Sequence, residues 1–284
     1  MTDPSPLLFL IGPGYSAQRL AKLCRSHASW RVAGTARSDE KAEKLEAEGI
    51  MPVMTRDIGA LANAARGSHW VISTPPGDEG CPGFDLVGQL APEAASVTYL
   101  STTGVYGDLR GGWAFEWSPV NPGTERGKRR VQAEEQWKSV REDVRLVRLP
   151  GIYGPGRSQL DRLRKGKSEQ VVKPGQVFSR IHVDDLASGV YELVQRPDLS
   201  GVFNICDEEA APPEVVMDYA AKLLKMDPPR HVPLEEADIS DMARSFFSEC
   251  KRVSNARLRA TTTWYPDYPS YREGLSAILA DEKN

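Results

Sequence analysis

The 284-residue sequence has few of the residues that build metal sites or covalent staples. Its four cysteines (Cys24, Cys81, Cys206, Cys250) form no C-x-x-C pair. Its four histidines (His27, His69, His182, His231) show no H-x-x-H or H-E-x-x-H spacing. A zinc centre would have to gather ligands from remote segments, so no metal site is expected, and the cysteines read as free thiols of a reducing compartment. Long apolar runs are also missing. The first, Leu7-Leu8-Phe9-Leu10-Ile11, stops at Gly12-Pro13-Gly14 with no basic region before it. It fits neither a signal peptide nor a membrane span of about 20 residues. The expectation is a cytoplasmic protein without a membrane partner. Nor is there an excess of one charge: 36 Lys+Arg stand against 39 Asp+Glu, a net charge of −3. That balance provides no global field to gather nucleic acid. A composition of 40% hydrophobic and 26% charged residues excludes a disordered chain. At roughly 100–200 residues per domain the length suggests one large or two modest domains.

What is present is an alternation of short apolar strands and amphipathic helices. Strands are expected at 7–11, 30–36, 50–54, 69–73, 96–101 and 144–149. Helices are expected at 16–27, 39–48, 60–66, 129–140 and 184–195, with Ser38 capping the second and Gly49 stopping it. Such alternation implies right-handed crossovers and a mostly parallel sheet covered on both faces. After Pro150 the pattern loosens into Gly/Pro-rich loops with further segments near 213–225 and 270–280. The expected architecture is a doubly wound α/β fold: residues 1–150 form the main domain, which takes back roughly 181–206, and 151–284 mainly form a smaller, interleaved C-terminal lobe.

The first strand runs into Gly12-Pro13-Gly14-Tyr15-Ser16-Ala17, a G-x-G-x-x-A pattern opening a helix. Gly12 suits the tight turn, Gly14 lets backbone approach a pyrophosphate, and Ala17 keeps helix and strand close. Free N–H groups at the helix start favour a diphosphate, although a plain structural glycine turn has the same residues. At the end of strand two, Gly34-Thr35-Ala36-Arg37-Ser38 offers no carboxylate for a ribose 2′-hydroxyl, whereas Arg37 suits a 2′-phosphate. NADP is therefore expected over NAD, unless Arg37 is only a solvated surface residue.

Further along, Ser101-Thr102-Thr103-Gly104-Val105-Tyr106-Gly107-Asp108 resembles the S-S/T-x-x-V-Y-G-D run of the extended short-chain dehydrogenases/reductases, the nucleotide-sugar epimerase/dehydratase group. Other pieces agree in order: Glu116 to Pro122, Arg148 to Gly156, Arg180 to Ala187, Gly201 to Ile205, and the tail from Arg252 to Leu275. The tail and the glycine turn resemble an uncharacterised subgroup of small atypical members. The resemblance implies a Rossmann sheet of about seven strands and a small lobe closing over a nicotinamide. It also implies that Asp57 and Ile58 lie by the adenine and that Ser73, Thr74 and Pro75 lie along the ribose and diphosphate. Pro150 falls in the cofactor-binding set, and Thr102 takes the catalytic Ser/Thr position.

One departure stands out. The family's working pair is Tyr-x-x-x-Lys, but counting back from Glu134 puts Arg130 at the Lys position and Arg126 at the Tyr position. Arg130 could hold ribose hydroxyls. Arg126 cannot replace the tyrosine, because guanidinium stays protonated at any working pH. Three readings follow. Tyr106, Tyr153 or His182 supplies the proton, Tyr106 being the first choice, with a nearby Arg130 depressing its pKa. Alternatively Arg126 binds an anionic substrate group. In the third reading catalysis is lost and the chain is a non-catalytic NADP(H)-binding sensor. The run Lys128-Arg129-Arg130 reads as one site cation plus a solvated face, with no nucleic-acid partner. Trp113 and Trp117 sit in the loop expected to border the substrate, and 157–176, with Arg162, Arg164, Lys165, Lys167 and Lys173, reads as a basic flap. The expected activity is that of an oxidoreductase or epimerase-like enzyme acting on a small polar or anionic metabolite, as a monomer or homodimer.

Overall fold

The computed structural model describes residues 5–27 and 30–282. Seven parallel strands form its central sheet: β1 (Leu7–Ile11), β2 (Arg31–Ala36), β3 (Met51–Met54), β4 (His69–Ile72), β5 (Ser96–Thr102), β6 (Arg145–Leu149) and β7 (Gly201–Asn204). Their order is β7-β6-β5-β4-β1-β2-β3. The order reverses between β1 and β4, whose register pairs Leu8 with His69 and Ile11 with Ile72. In doubly wound sheets ligands bind at that switch point, beyond the carboxyl ends of the strands.

The continuous apolar run of β1 follows from this central place, because both of its faces are covered. Leu8 and Leu10 point to one side, where α1 (Tyr15–Ser26) contributes Ala17, Leu20, Ala21 and Cys24. On the same side α7 (Val183–Gln195) packs Leu186, Ala187, Val190 and Val194. Phe9 and Ile11 point to the other side, onto Leu61 and Ala65 of α3 (Ile58–Ala65) and Ala133 and Trp137 of α5 (Glu125–Val140). The helix after β2, α2 (Asp39–Ala47), starts at Ser38, whose hydroxyl accepts the Lys41 N–H at 3.3 Å. Between β4 and β5 lies a short α4 (Pro82–Val87) running into a 3₁₀ turn at Gly88–Glu93. Its Gly and Pro content hides it from a periodicity reading.

A second set of elements closes over the sheet's carboxyl edge. There α6 (Gln159–Arg164), α8 (Pro213–Leu224) and α9 (Tyr271–Asp281) bury Leu160, Leu163, Val216, Met217, Leu275 and Ile278 together. The stretch expected to be a basic flap is ordered instead. It contains α6 and the strand Glu169–Val172, which pairs with Arg230–Pro233. The helix expected from Arg129 begins four residues earlier, because Thr124 caps it by accepting the Gly127 N–H at 3.1 Å. Among the described residues no helix is long and apolar enough to cross a membrane.

Candidate active site

The glycine turn after β1 is held from below. Gly12 has φ +75°, and a Cβ there would lie 2.5 Å from Thr74 Cγ2, so only glycine fits. Its N–H donates to Thr35 Oγ1 at 2.9 Å, which ties the turn to β2. Thr35, passed over in the sequence as merely not acidic, thus shapes the loop. Gly14 is the N-cap of α1, and no side chain caps that helix. A Cβ on Gly14 would meet nothing closer than Gly12 O at 4.0 Å. The first turn carries no acidic residue, while Ser16 and Ala17 are buried beneath it. Uncapped N–H groups facing open space are an anion cradle that suits a diphosphate. Tyr15 reaches across instead, its hydroxyl donating to Pro155 O at 3.1 Å.

Around this cradle lie the other expected cofactor residues. Arg37 is exposed, and among the described residues it has no hydrogen-bond partner; neighbouring Arg56 bonds Asp39 at 2.8 Å. Asp57 caps α3, accepting the Ala60 N–H at 2.9 Å, and beside it Ile58 is 79% exposed. An aliphatic side chain this bare at a strand's carboxyl end is a ready platform for a flat ring. Ser73 N donates to Ile11 O at 2.9 Å, Thr74 lies against Gly12, and Pro75 is exposed at the switch point. Pro150 is half-buried at the end of β6.

Thr102 ends β5, and its Oγ1 accepts the Gly104 N–H at 3.2 Å, leaving its own proton free to donate. Arg130 Nη1 reaches back to β5, donating to Leu100 O at 2.7 Å and to the Tyr99 hydroxyl at 3.1 Å. The structure corrects the expectation that Arg130 depresses the Tyr106 pKa. Tyr106 is 1% exposed, its hydroxyl donates to Asn204 Oδ1 at 2.8 Å, and the guanidinium on its ring is that of Arg148, 4.8 Å from the centroid. Burial raises its pKa above the ordinary value, with Arg148 opposing only in part. Tyr153 and His182 are equally interior. Burial raises the Tyr153 hydroxyl, whereas the His182 imidazole is pulled down to about 4. These three groups, candidate proton donors in the sequence, are built into the core.

Beneath Thr102 runs a buried polar chain. Glu134 accepts from Arg148 Nε at 3.0 Å, from Arg148 Nη2 at 2.7 Å and from the Ser101 hydroxyl at 2.6 Å. Asn204 continues it by donating its N–H to Glu116 Oε1 at 3.1 Å. Arg126 lies on the outer side, in the first turn of α5. It is exposed, its guanidinium sits 4.2 Å above the Phe246 ring, and it has no hydrogen-bond partner among the described residues. Partial burial pulls its pKa down, and the nearby Glu249 carboxylate opposes that. Glu249, given no role by the sequence motifs, lies in the field of Arg126. Of the basic residues of 157–176, Arg164 pairs with Glu282 and Lys173 bonds Phe247 O. Arg157, Arg162, Lys165 and Arg180 line a cavity of about 370 Å³ beside Gly151–Tyr153. Its one acid, Asp161, is engaged in a capping box with Ser158. Trp113 and Trp117 are exposed and sandwich Phe115; Phe115 and Trp117 stack at 4.9 Å. No group of three His, Cys, Asp or Glu is placed to hold a metal ion among the described residues.

No protein-family model matches the chain. It is 40% identical to the functionally unknown conserved protein from Silicibacter pomeroyi DSS, over 97% of this chain and 99% of that one, with a TM-score of 0.90. Protein YeeZ of Escherichia coli strain K12 is 27% identical over 242 residues, 78% of this chain and 85% of that protein. The dTDP-glucose 4,6-dehydratase of Bacillus anthracis, solved in complex with NAD, shares the fold with a TM-score of 0.79 at 16% identity, covering 98% and 97% of the two chains. The chain belongs to one family with the Silicibacter protein, and its fold is the Rossmann fold of the NAD-dependent epimerase/dehydratase proteins.

Proposed function

We propose that this chain is a nicotinamide-dependent oxidoreductase or epimerase-type enzyme acting on a small anionic substrate. The observation that carries the reading is the uncapped, acid-free start of α1 behind the Thr35-braced glycine turn. Gly12, Gly14, Tyr15, Ser16 and Ala17 would hold the diphosphate, Ile58 and Asp57 the adenosine end, and Ser73, Thr74, Pro75, Arg130 and Pro150 the rest of the dinucleotide. Arg37, with Ser38 beside it, would pair with a 2′-phosphate, which favours NADP. A nicotinamide held by these residues would be the source or acceptor of a hydride. Thr102, whose hydroxyl proton is free, donates a hydrogen bond to the substrate oxygen. Arg126 receives the anionic group. A cation in the first turn of α5 opposes the helix dipole, and its exposed, unbonded guanidinium is suited to a ligand carboxylate or phosphate. The basic cavity beside Tyr153 supports the same substrate charge.

The test is fluorescence titration with NADPH and NADH. NADPH should bind at least about tenfold more tightly, as expected for a charge-assisted contact, and Arg37→Ala should erase the preference without abolishing NADH binding. Failure of both nucleotides to bind would overturn the reading, and NADH preference would remove the role of Arg37. Binding without turnover across a panel of anionic carbonyl compounds would favour a nucleotide sensor.

A further inference from the structure

Two contacts lay the segment Phe246–Lys251 along the entrance to α5. The Phe246 ring lies under Arg126, and a Cβ built on Gly123 would stand 3.6 Å from Glu249 Oε1. The segment is fixed from three sides. Cys250 N donates to Asp108 Oδ1 at 2.8 Å, Cys250 O accepts from Leu109 N at 3.1 Å and Gly111 N at 2.9 Å, and Gln176 Nε2 donates to Glu249 O at 2.8 Å. The Glu249 side chain is therefore presented by a rigid frame. Its Oε2 accepts from Lys251 Nζ at 2.7 Å, with both side chains about nine-tenths buried. Its Oε1 is buried without a partner, as is the neighbouring Gln176 Oε1. Glu249 and Arg126 make no ion pair with one another among the described residues, although each lies within the other's field.

An unpaired buried carboxylate oxygen is costly, and a buried ion pair is a poor way to gain stability. The unpaired oxygen is accounted for if a ligand supplies the missing donor. The local charge identifies that donor. Arg126, Arg130, Lys173 and Lys251 stand against Glu249 and Asp108, an excess of positive charge that a ligand anion offsets. An ammonium donor would restore the excess, so a hydroxyl is the group that fits. We propose that Glu249 is the specificity-determining residue of this site: it accepts a hydrogen bond from a substrate hydroxyl while Arg126 holds the substrate's anionic group. The substrate class is then a hydroxy acid or a phosphorylated alcohol. The proposal rests on the anionic-substrate reading above and adds the second polar group.

Calorimetric titration of the whole chain, with and without NADPH, tests it. The probes are hydroxy acids of increasing length (glycolate, lactate, glycerate, 4-hydroxybutyrate), each against its deoxy acid, and glycerol 3-phosphate against propyl phosphate. At least one hydroxylated probe should bind about tenfold or more tightly than its deoxy partner. The pair in which this appears distinguishes carboxylate from phosphate. Glu249→Met combined with Lys251→Met replaces the ion pair by apolar groups of similar length, which commonly preserves folding. It should bring the ratio close to one while leaving deoxy-acid and NADPH affinities within about threefold. Glu249→Gln provides a second variant, with an intermediate ratio. Equal binding of every hydroxylated and deoxy pair by the wild type, or an unchanged ratio in either variant, overturns the proposal. Loss of NADPH binding by the wild type overturns the cofactor reading alone, since the ratio is also measured without nucleotide. Binding of no probe overturns both this inference and the role of Arg126.

Discussion

At the scale of single residues, the proposed site stands out by the guanidinium groups of Arg126 and Arg130 where the sequence resemblance would put a tyrosine and a lysine. Helical spacing placed Arg130 inside the helix expected at 129–140, but Arg126 fell before its start; it belongs to α5 because the Thr124 cap begins the helix earlier. That spacing could not say that Glu134 itself is buried against Arg148, since that contact joins α5 to β6 across the sheet. The same limit explains Tyr106. Its place in a motif was legible, but whether its hydroxyl faces a ligand or Asn204 depends on β7, almost 100 residues later. The Glu134–Arg148 pair supports Ser101 and the Tyr106 ring together, so breaking it leaves a guanidinium buried and uncompensated. Glu134→Ala should cost about 3–5 kcal/mol of unfolding free energy in urea titration. Tyr106→Phe removes one neutral hydrogen bond and should cost about 1 kcal/mol. A Glu134→Ala loss no larger than that of Tyr106→Phe would mean that the pair is not a structural post.

At the scale of elements, α1 and α7 decide how the glycine turn meets the second lobe. Arg19 of α1 pairs with Asp184 of α7, with an Nη2–Oδ2 distance of 2.7 Å, and Tyr15 bonds Pro155. The α7 cap is His182, whose Nδ1 accepts the Asp184 N–H at 3.3 Å. A ring nitrogen that accepts must be unprotonated, and the imidazole is 2% exposed between Tyr153 and Tyr268. Burial dominates and lowers its pKa to about 4; Asp184 and Asp281 oppose this and Arg19 adds to it. The unfolded chain, with an ordinary histidine near 6.5, therefore binds a proton that the folded state refuses. The corresponding stability is complete above pH 6.5 and is lost as the pH falls toward 4. Asp185, on the same helix, works in the opposite direction, because burial raises its carboxyl to about 7. Its stabilisation is present at low pH and declines as the pH rises toward 7. Urea midpoints of the wild type and His182→Gln at pH 5 and 7.5 separate the two. The variant should be destabilised more at pH 7.5 than at pH 5, and an equal loss at both would refute a neutral cap. The sequence marked helix α7 by its apolar spacing, but nothing local marks its preceding histidine as a cap.

At the scale of the whole molecule, the early and late parts of the chain share one framework. The sheet takes β7 from residues beyond 200, where Gly201–Asn204 pairs with Arg145–Arg148. The face of the sheet under α1 is closed by α7, and one apolar cluster runs from Leu8 through Val190 and Phe203 to Trp264. The alternation of strands and helices made the first six strands legible, whereas β7 was legible only through the family resemblance of Gly201 to Ile205, being short and half-exposed at its start. A fragment ending at residue 150 would therefore leave Leu8, Leu10, Leu20 and Val147 facing water and the β6 edge unpaired. Exposed apolar surface costs about 25 cal/mol per Å², and an open hydrophobic edge strand pairs with other chains. The fragment 1–150 should aggregate or lack a cooperative transition. The full chain should unfold in a single step, with far-UV circular dichroism and tryptophan fluorescence tracing one curve, because Trp30, Trp70, Trp137 and Trp264 report on both faces of the sheet. A folded, cooperatively melting 1–150 fragment, or two separated transitions in the full chain, would show instead that the first 150 residues are independent and that the lobe carrying Glu249 is a separate body.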